Sequence, residues 1–566
     1  MEEAPITDKE LSSQLTGLNK GNASNKNKII LISGISIIVL MVIIIIIVIA
    51  TSSSDSSEKN IVFTKQGEIN CVYDVRSISK NTMLLSNEFN KNSNFDIEID
   101  GQIIKYSKEY RFNSITQKKV KFILYEPVVM DFMFKDVPNM LSVEMISENN
   151  LEIKSMASAF EDSQSLAKFH IKGFDTSKVT SMKKLFYRTG IFEIDLSGLN
   201  TENVKDMSYM FASTELVHLN VSSLDTSNVE NMAYMFQYCR SLISIDLSSF
   251  NTENVKDMNS MFFFCTSIQS INLSGFKTNK VTNMNSMFRE CLSLTEIDLS
   301  MFDTSEVNDM GSMFEDCSGL RSLNLRSFNT KNVMNMGHMF AYCNKLEKLD
   351  ISSFDTTNVE DMSYMFQFCR SIDEIDVSKF VAPKLRDMSF MFNYMILISN
   401  LNLNSLKPEG LRNMAHAFDA CSNLQKLEIS TLETPLVEDM SYAFQDCISL
   451  ISLDVSNFRT SNVENMAGMF NGCTKLMEID VSKFETNQVK DMSSMFKLCS
   501  GLTKLDVSSF NTEKVTNMKS MFQSLGLIRE LNVKNFNTQN VIDMSSMFES
   551  CGYLTSLDVS GFNTAK

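Results

Sequence analysis

Tryptophan is absent from the 566 residues, and histidine occurs only four times. His170, His218, His338 and His416 fall at unrelated positions or in exposed helix slots. No H-E-x-x-H sequence links any two of them, which excludes a zinc-hydrolase centre of that kind. A Gly-rich phosphate loop and a nucleophile elbow are missing too. The twelve cysteines include no C-x-x-C pair, so zinc-finger and thioredoxin-type readings are out. Basic residues are in deficit, with 52 Lys and Arg against 68 Asp and Glu, for a net charge of −16. Nucleic-acid affinity rests on neutralised phosphates, so an acidic chain is a poor fit to it. A basic partner, a cation or simple solubility suits the charge better.

What the chain has in excess is methionine, 39 residues of it. The cause is a repeat. Residues 242–267 read L-x-x-I-D-L-S-x-F-x-T-x-x-V-x-x-M-x-x-M-F-x-x-C-x-x, and the frame restarts at Ile268. With Leu242 as position one, Phe262 is position twenty-one and Cys265 position twenty-four. Phe160, Phe186, Phe211 and Phe236 precede Phe262 in its column, which runs on to Phe548. The step is twenty-six residues, except for two steps of twenty-five between Phe186 and Phe236. A fixed period of this size marks a stacked-repeat array. Such an array grows without a single large core, so length says little about domain number.

Taken in order, residues 1–28 are polar and read as a disordered cytoplasmic tail. Residues 29–50, bounded by Ile29 and Ala50, carry no charge and are long enough to cross a hydrocarbon core of about 30 Å as a helix. The run is too long, and starts too far into the chain, for a cleaved signal peptide. Lys20, Lys26 and Lys28 precede it, while Asp55, Glu58 and Lys59 follow. The positive-inside rule then predicts a single-pass plasma-membrane protein with a cytoplasmic amino terminus and extracellular repeats. Residues 51–60 form a polar tether. Residues 61–128 read as a β-rich capping module, with Phe95-Asp-Ile-Glu-Ile, Asp100-Gly101 and Ile103-Ile104 signalling a hairpin. A solenoid of about seventeen coils is expected over 129–566. Pro383 and Pro408 in the departures from consensus at 376–410 predict a local break in strand stacking.

Within a coil, Ile-Asp-Leu-Ser at positions four to seven predicts a short strand with the apolar residues inward. Asp or Asn at position sixteen has the identity of a helix N-cap. Met258, Met261, Phe262 and Cys265 follow at i, i+3, i+4 and i+7, the spacing of one helix face. The expected fold class is therefore an α/β repeat solenoid whose coils each run strand, turn, short helix. At about 4.8 Å per coil it would make a rod or arc about 80 Å long.

The string LDVSxFxTxxVxxMxxMFxxC, nearly intact at residues 453–473 and 505–522, resembles the BspA-like leucine-rich-repeat surface proteins. The resemblance covers about residues 130–566. It implies a surface protein associated with adhesion, and it supplies no ligand.

Eleven of the twelve cysteines occupy position twenty-four, where Met395 and Leu525 stand in other coils. A slot open to those residues wants a medium apolar group, so buried free thiols are expected. Disulfides between neighbours and metal binding are the alternatives. The two Met columns read as core. Position five, outward on the strand, carries Asp195, Asp246, Asp298, Asp350, Asp376, Asp454, Asp480, Asp506 and Asp558. From Asp195 to Asp350 it alternates Asp with Asn, and position sixteen does the same in step. Relief of repulsion is one explanation: two charges about 5 Å apart repel by about 3 kcal/mol at an effective dielectric of 20. The strip reads either as a solvated, internally bonded ladder or as a ligand face, with divalent cations as a further option. Because paired carboxylates recur in every coil, no single pair marks an active site, and no enzyme activity or cofactor is expected. The function read from the sequence is binding of an extracellular protein, matrix or cell-surface ligand, with lateral self-association as a further option. A receptor or scaffold signalling through the tail, or a structural coat component, is the alternative.

Overall fold

The computed structural model describes residues 63–565. The expected tail, membrane anchor (Ile29 to Ala50) and tether lie outside the described residues. Among those described, no helix is long and apolar enough to cross a membrane.

The first part of the array-bearing unit is a β-sheet. Strand β1 (Gly67–Asp74) buries every second residue, including Ile69, Cys71 and Tyr73. Two-residue strands β2 (Thr82–Met83) and β5 (Glu109–Tyr110) pair with each other. Strands β3 (Phe95–Ile99) and β4 (Gln102–Ile104) form the expected hairpin, with positive φ at Asp100 and Gly101 in the turn. Strand β6 (Gln117–Leu124) joins β3 to β1. Strand β8 (Met140–Ser155) pairs with β1 antiparallel, and with β7 (Val128–Val129) and β9 (Lys168–Asp175) in parallel. Strand β10 (Glu193–Asp195) then adds in parallel to β9. The sheet runs without interruption in the order β10-β9-β8-β1-β6-β3-β4, so the cap and the first coils share one ladder.

Beyond β10 the chain is a β-solenoid. Each coil supplies at most a three-residue parallel strand, such as Ser244–Asp246 against Ser270–Asn272. A second ladder joins position sixteen of successive coils in unbroken parallel bridges from Ser181 to Asp543. Thr252, fully buried, donates its hydroxyl to the Lys277 carbonyl and accepts the Lys277 N–H, both at 2.8 Å. The same reciprocal pair recurs with Thr304 and Asn329, Thr330 and Asp355, and Thr486 and Asn511. The position-twenty-one rings, all buried but Phe548, stack at centroid separations of 5.4–6.0 Å from Phe134 to Phe548. Each fully buried Phe contributes about 1.5–3 kcal/mol of apolar burial.

The short helix expected in each coil is not there. Among the described residues there is no helix at all, and the fold class is a β-solenoid rather than an α/β one. Positions seventeen to twenty-four are overlapping β-turns. Met261, Phe263 and Cys265 donate their N–H three residues back, to Met258, Ser260 and Phe262. The intervening amides of Met258, Ser260, Phe262 and Phe264 donate instead to carbonyls of the next coil, at 2.8–3.1 Å. Sharing the amides between coil and neighbour requires left-handed backbone at positions nineteen and twenty-three, as at Ser260 (φ 53°) and Phe264 (φ 63°). Such a pair recurs from Phe132 and Asp136 to Ser546 and Ser550. Met258, Met261, Phe262 and Cys265 are fully buried, as expected, but by turns. Apolar spacing of three and four residues fits a run of turns as well as it fits a helix.

At 376–410 no strand pairing joins Lys348–Asp350 to Asn400–Asn402, but the same gap lies between Ser270–Asn272 and Ser322–Asn324, and the position-sixteen ladder is not interrupted. Bridges pass from Asp361 through Asp387 and Asn413 to Asp439. What is lost is local: Ala382 and Pro408 replace the threonine and its reciprocal hydrogen bonds.

Candidate functional site

The strand face collects the outward residues of every coil, and it continues onto the cap. Sheet register places Glu98, Lys121, Asn70, Glu144, His170 and Asp195 in one transverse row. The position-five column is thus the continuation of a row that begins on β3. Side chains within the row pair with each other: Lys121 lies 3.3 Å from Glu98, and His170 Nδ1 lies 3.1 Å from Asp195 Oδ2.

Each of the nine position-five aspartates holds its own turn. Asp195, Asp246, Asp298, Asp350, Asp376, Asp454, Asp480, Asp506 and Asp558 all accept, on Oδ1, the N–H of the residue two further on, at 2.9–3.1 Å. That residue is a serine in all nine. Its hydroxyl and N–H hold the carboxyl below the usual range in Asp195, Asp376, Asp454, Asp480, Asp506 and Asp558, and the N–H leads in Asp246 and Asp298. The Ser352 hydroxyl and N–H, with Arg326 behind them, bring Asp350 down to about 2. Asn220 and Asn272 make the same turn with Ser222 and Ser274. This shared acceptor explains why the column tolerates both residue types.

Alternation of the two types has a second cause, which goes beyond relief of repulsion. Asn272 Nδ2 donates to Asp246 in the preceding coil at 2.9 Å. At position sixteen, Asn335 donates likewise to Asp309, Asn465 to Asp439 and Asn517 to Asp491, at 2.9–3.3 Å. An amide following a carboxylate bonds across the coil boundary, whereas two carboxylates repel. Position sixteen is also an Asx turn rather than a helix cap, since Asp257 accepts the Asn259 N–H at 2.9 Å.

Grooves on the strand face lie between Ser322 and Asp376 (870 Å³), between Asp373 and Glu428 (750 Å³) and between Phe192 and Asp246 (490 Å³). A fourth, of 620 Å³, lies on the cap sheet and is lined by Glu68, Glu98, Lys119 and Lys121 among others. Among the described residues, no group of three or more His, Cys, Asp or Glu side chains is placed to hold a metal ion.

All twelve thiols are free, and every one but Cys551 is buried. Cys265 Sγ donates to the Phe236 carbonyl of the coil before at 3.0 Å, and the rest of the column repeats this bond. Burial pushes Cys239 up to about 11 and Cys369 and Cys473 up to about 12.

Sequence reasoning missed the turn face. At position nineteen, His338, Tyr364, Phe390, His416 and Tyr442 stack in series at 4.4–4.7 Å. At position twenty-three, Tyr342, Phe368 and Tyr394 stack at 4.6–5.0 Å, with the Arg370 guanidinium 4.7 Å from the Phe368 centroid. Between the two series, at position twenty-two, the side chains of Gln367, Asn393, Asp419, Gln445 and Asn471 are joined by hydrogen bonds. Aromatic residues in these two columns of consecutive coils were the available signal, masked by the helix reading that left both columns on an exposed face.

This arrangement defines a stacked-repeat protein with one continuous strand face and no convergent catalytic cluster among the described residues. The family described as "Mycoplasma protein of unknown function, DUF285" matches residues 128–244, 212–322, 292–405, 412–528 and 500–566, and the chain belongs to that family. No curated protein matches it. Among solved structures, it aligns with the TLR13–ssRNA13 complex at 15% identity, over 76% of this chain and 79% of that one, with a TM-score of 0.20. A leucine-rich cell surface protein of Faecalibacterium prausnitzii A2-165 aligns at 13% identity over 67% and 82%, with a TM-score of 0.22. A leucine-rich-repeat protein of Leptospira interrogans aligns at 12% over 60% and 71%, with a TM-score of 0.19. The solenoid itself rests on the chain's own hydrogen bonding.

Proposed function

We propose that the protein is a cell-surface repeat protein of BspA-like character that binds other proteins, matrix or cell-surface ligands through its strand face. In this reading residues 29–50 anchor it in the plasma membrane, with the amino terminus inside and the repeats outside. The observation that carries the proposal is the strand face itself, a grooved surface with exposed apolar side chains that runs from the cap sheet along the coils. Exposed apolar patches rimmed by polar groups are typical of binding surfaces. Catalysis has no part in this reading, because the carboxylates repeat alike from coil to coil.

Attachment assays on cells displaying the full chain test it. Ser270→Trp, Ser322→Trp and Ser452→Trp together cover the strand face, while Glu253→Trp, Lys331→Trp and Ser461→Trp place the same bulk elsewhere on exposed positions. Loss of attachment with the first set alone is expected. Equal attachment by both sets would remove the strand face as the binding surface. Protease shaving of intact cells must also release the repeats, and their protection would refute the orientation.

A further inference from the structure

The strand face changes character along its length. At position two, Phe192, Val217 and Ile243 are exposed apolar residues. The column turns ionic at Arg321, Glu347 and Asp373, then becomes apolar again at Ile451 and Met477, which are 47% and 58% exposed. The ionic stretch coincides with the grooves of 870 and 750 Å³, which share the wall Asp373–Asp376. Neighbouring carboxylates there are already neutralised: Glu347 lies 3.2 Å from Arg321, and Asp350 lies 2.5 Å from Arg326. Among the described residues, no ion pair joins Asp373, Glu374 or Asp376 to a cation. Leu397, 46% exposed, lines the second groove just beyond them.

We propose that this stretch seats an extended basic–apolar segment of a partner protein, with Lys or Arg among Asp373, Glu374 and Asp376 and apolar side chains on Leu397, Ile451 and Met477. The inference rests on the protein-binding reading of the strand face. A wholly apolar partner would desolvate three carboxylates that no ion pair offsets, Asp376 alone of them being hydrogen-bonded, to Ser378. A small cation would leave the apolar stretch uncovered. Four coils separate Asp373 from Met477, about 19 Å at about 4.8 Å per coil, the reach of about six extended residues.

Detergent-solubilised full chain and a fluorescein-labelled peptide, Lys-Lys-Gly-Leu-Ser-Leu-Ser-Leu, provide the test. Binding at least tenfold tighter than that of a Glu-Glu counterpart or an all-Ser counterpart is expected, weakening as salt rises. Asp373→Asn, Glu374→Gln and Asp376→Asn together should weaken it at least tenfold, and so should Ile451→Ser with Met477→Ser. Asp506→Asn and Asp558→Asn together should leave it unchanged. Asn makes the same turn natively, so circular dichroism should be unaltered in both acidic sets. Undiminished binding by the first set, equal loss in the third, or no binding of the Lys peptide would each overturn the inference. If the peptide fails while the tryptophan set on the strand face still abolishes attachment, only the partner chemistry falls. If that set also leaves attachment intact, the protein-binding reading falls with it.

Discussion

His416 places Nδ1 2.8 Å from Oδ2 of Asp419, a carboxylate only 5% exposed. The amides on both sides point their donors the same way. Asn393 Nδ2 reaches Oδ2 at 3.2 Å and Gln445 Nε2 reaches Oδ1 at 3.2 Å, while Gln367 and Asn471 donate in turn to Asn393 and Gln445. Asp419 is the acceptor on which the ladder converges. Asp419→Leu should therefore leave several buried donors without partners and cost about 3 kcal/mol. His416→Phe keeps a ring between Phe390 and Tyr442 and should cost less. Hydrogen exchange over 390–445 checks this: local acceleration in the first variant and near-native protection in the second are expected.

The thiol column makes the fold sensitive to alkali. Burial raises the folded-state values of Cys239, Cys369 and Cys473 from the ordinary 9.0 to about 11, about 12 and about 12. A raised value contributes stability that is complete below pH 9 and declines as pH rises toward the folded value, because unfolded thiols ionise first. The decline is about 1.4 kcal/mol per thiol per pH unit. Chemical denaturation between pH 8 and 11 should show the midpoint falling above pH 9. At pH 8, a thiol reagent should label Cys551 first and the buried column only after denaturant is added.

The acidic strip works in the opposite direction. Its carboxyls are depressed in the folded state, so their contribution is present above the unfolded value of 3.8 and is lost as pH falls, to about 2 for Asp350. Melting should therefore weaken from pH 4 downward. Asp454→Asn, Asp480→Asn and Asp506→Asn retain the acceptor that Asn220 and Asn272 supply elsewhere. These three should leave the melting temperature at pH 7 within about 2 °C of the parent and reduce the acid slope. Asp→Ala at the same sites should destabilise by about 1 kcal/mol each through loss of the turn acceptor.

The threonine column supplies a paired test. Thr330 makes two bonds to one residue of the next coil, Asp355, so Thr330→Val orphans that residue's part-buried N–H and carbonyl and should cost about 2 kcal/mol. Ala382 occupies the same slot two coils on, fully buried. Ala382→Thr should gain little, because Lys407 leads into Pro408 and the local backbone has already departed from the consensus. Denaturant midpoints of the two variants decide it, and a gain equal to the Thr330 loss would refute the account.

Stacking and burial were legible in the sequence because columns at a fixed period average out local noise. Phe262, Met258 and Cys265 were readable as interior from their recurrence alone. The local conformation was not. Amphipathic spacing at positions seventeen, twenty, twenty-one and twenty-four does not distinguish a helix from turns that donate to the next coil, and an Asx turn at Asp257 has the same residue preference as an N-cap. The strand face was visible as the position-five column, but its continuation to His170, Glu144 and Asn70 was not, since strand register in the cap has no period to reveal it. The aromatic series on the turn face needed the correct backbone before its columns had meaning.

Gly468 marks where that series ends, and it supplies the sharpest test of the turn geometry. Its φ is 59°, and a Cβ there would lie 2.3 Å from Cδ1 of Tyr442 in the preceding coil. The ring of Tyr442 therefore occupies the space that a position-nineteen side chain fills elsewhere. Left-handed backbone alone does not require glycine, because Tyr442, His416 and Phe390 hold φ of 56–57° with side chains attached. Steric conflict with the ring, rather than backbone conformation, is what selects glycine here. Gly468→Ala should then cost about 2 kcal/mol or more in the parent and much less in a Tyr442→Ser background, where the space is open. A double-mutant cycle read by hydrogen exchange over 440–470 measures the coupling. Additive effects would show that backbone strain, not the tyrosine ring, sets the residue at 468.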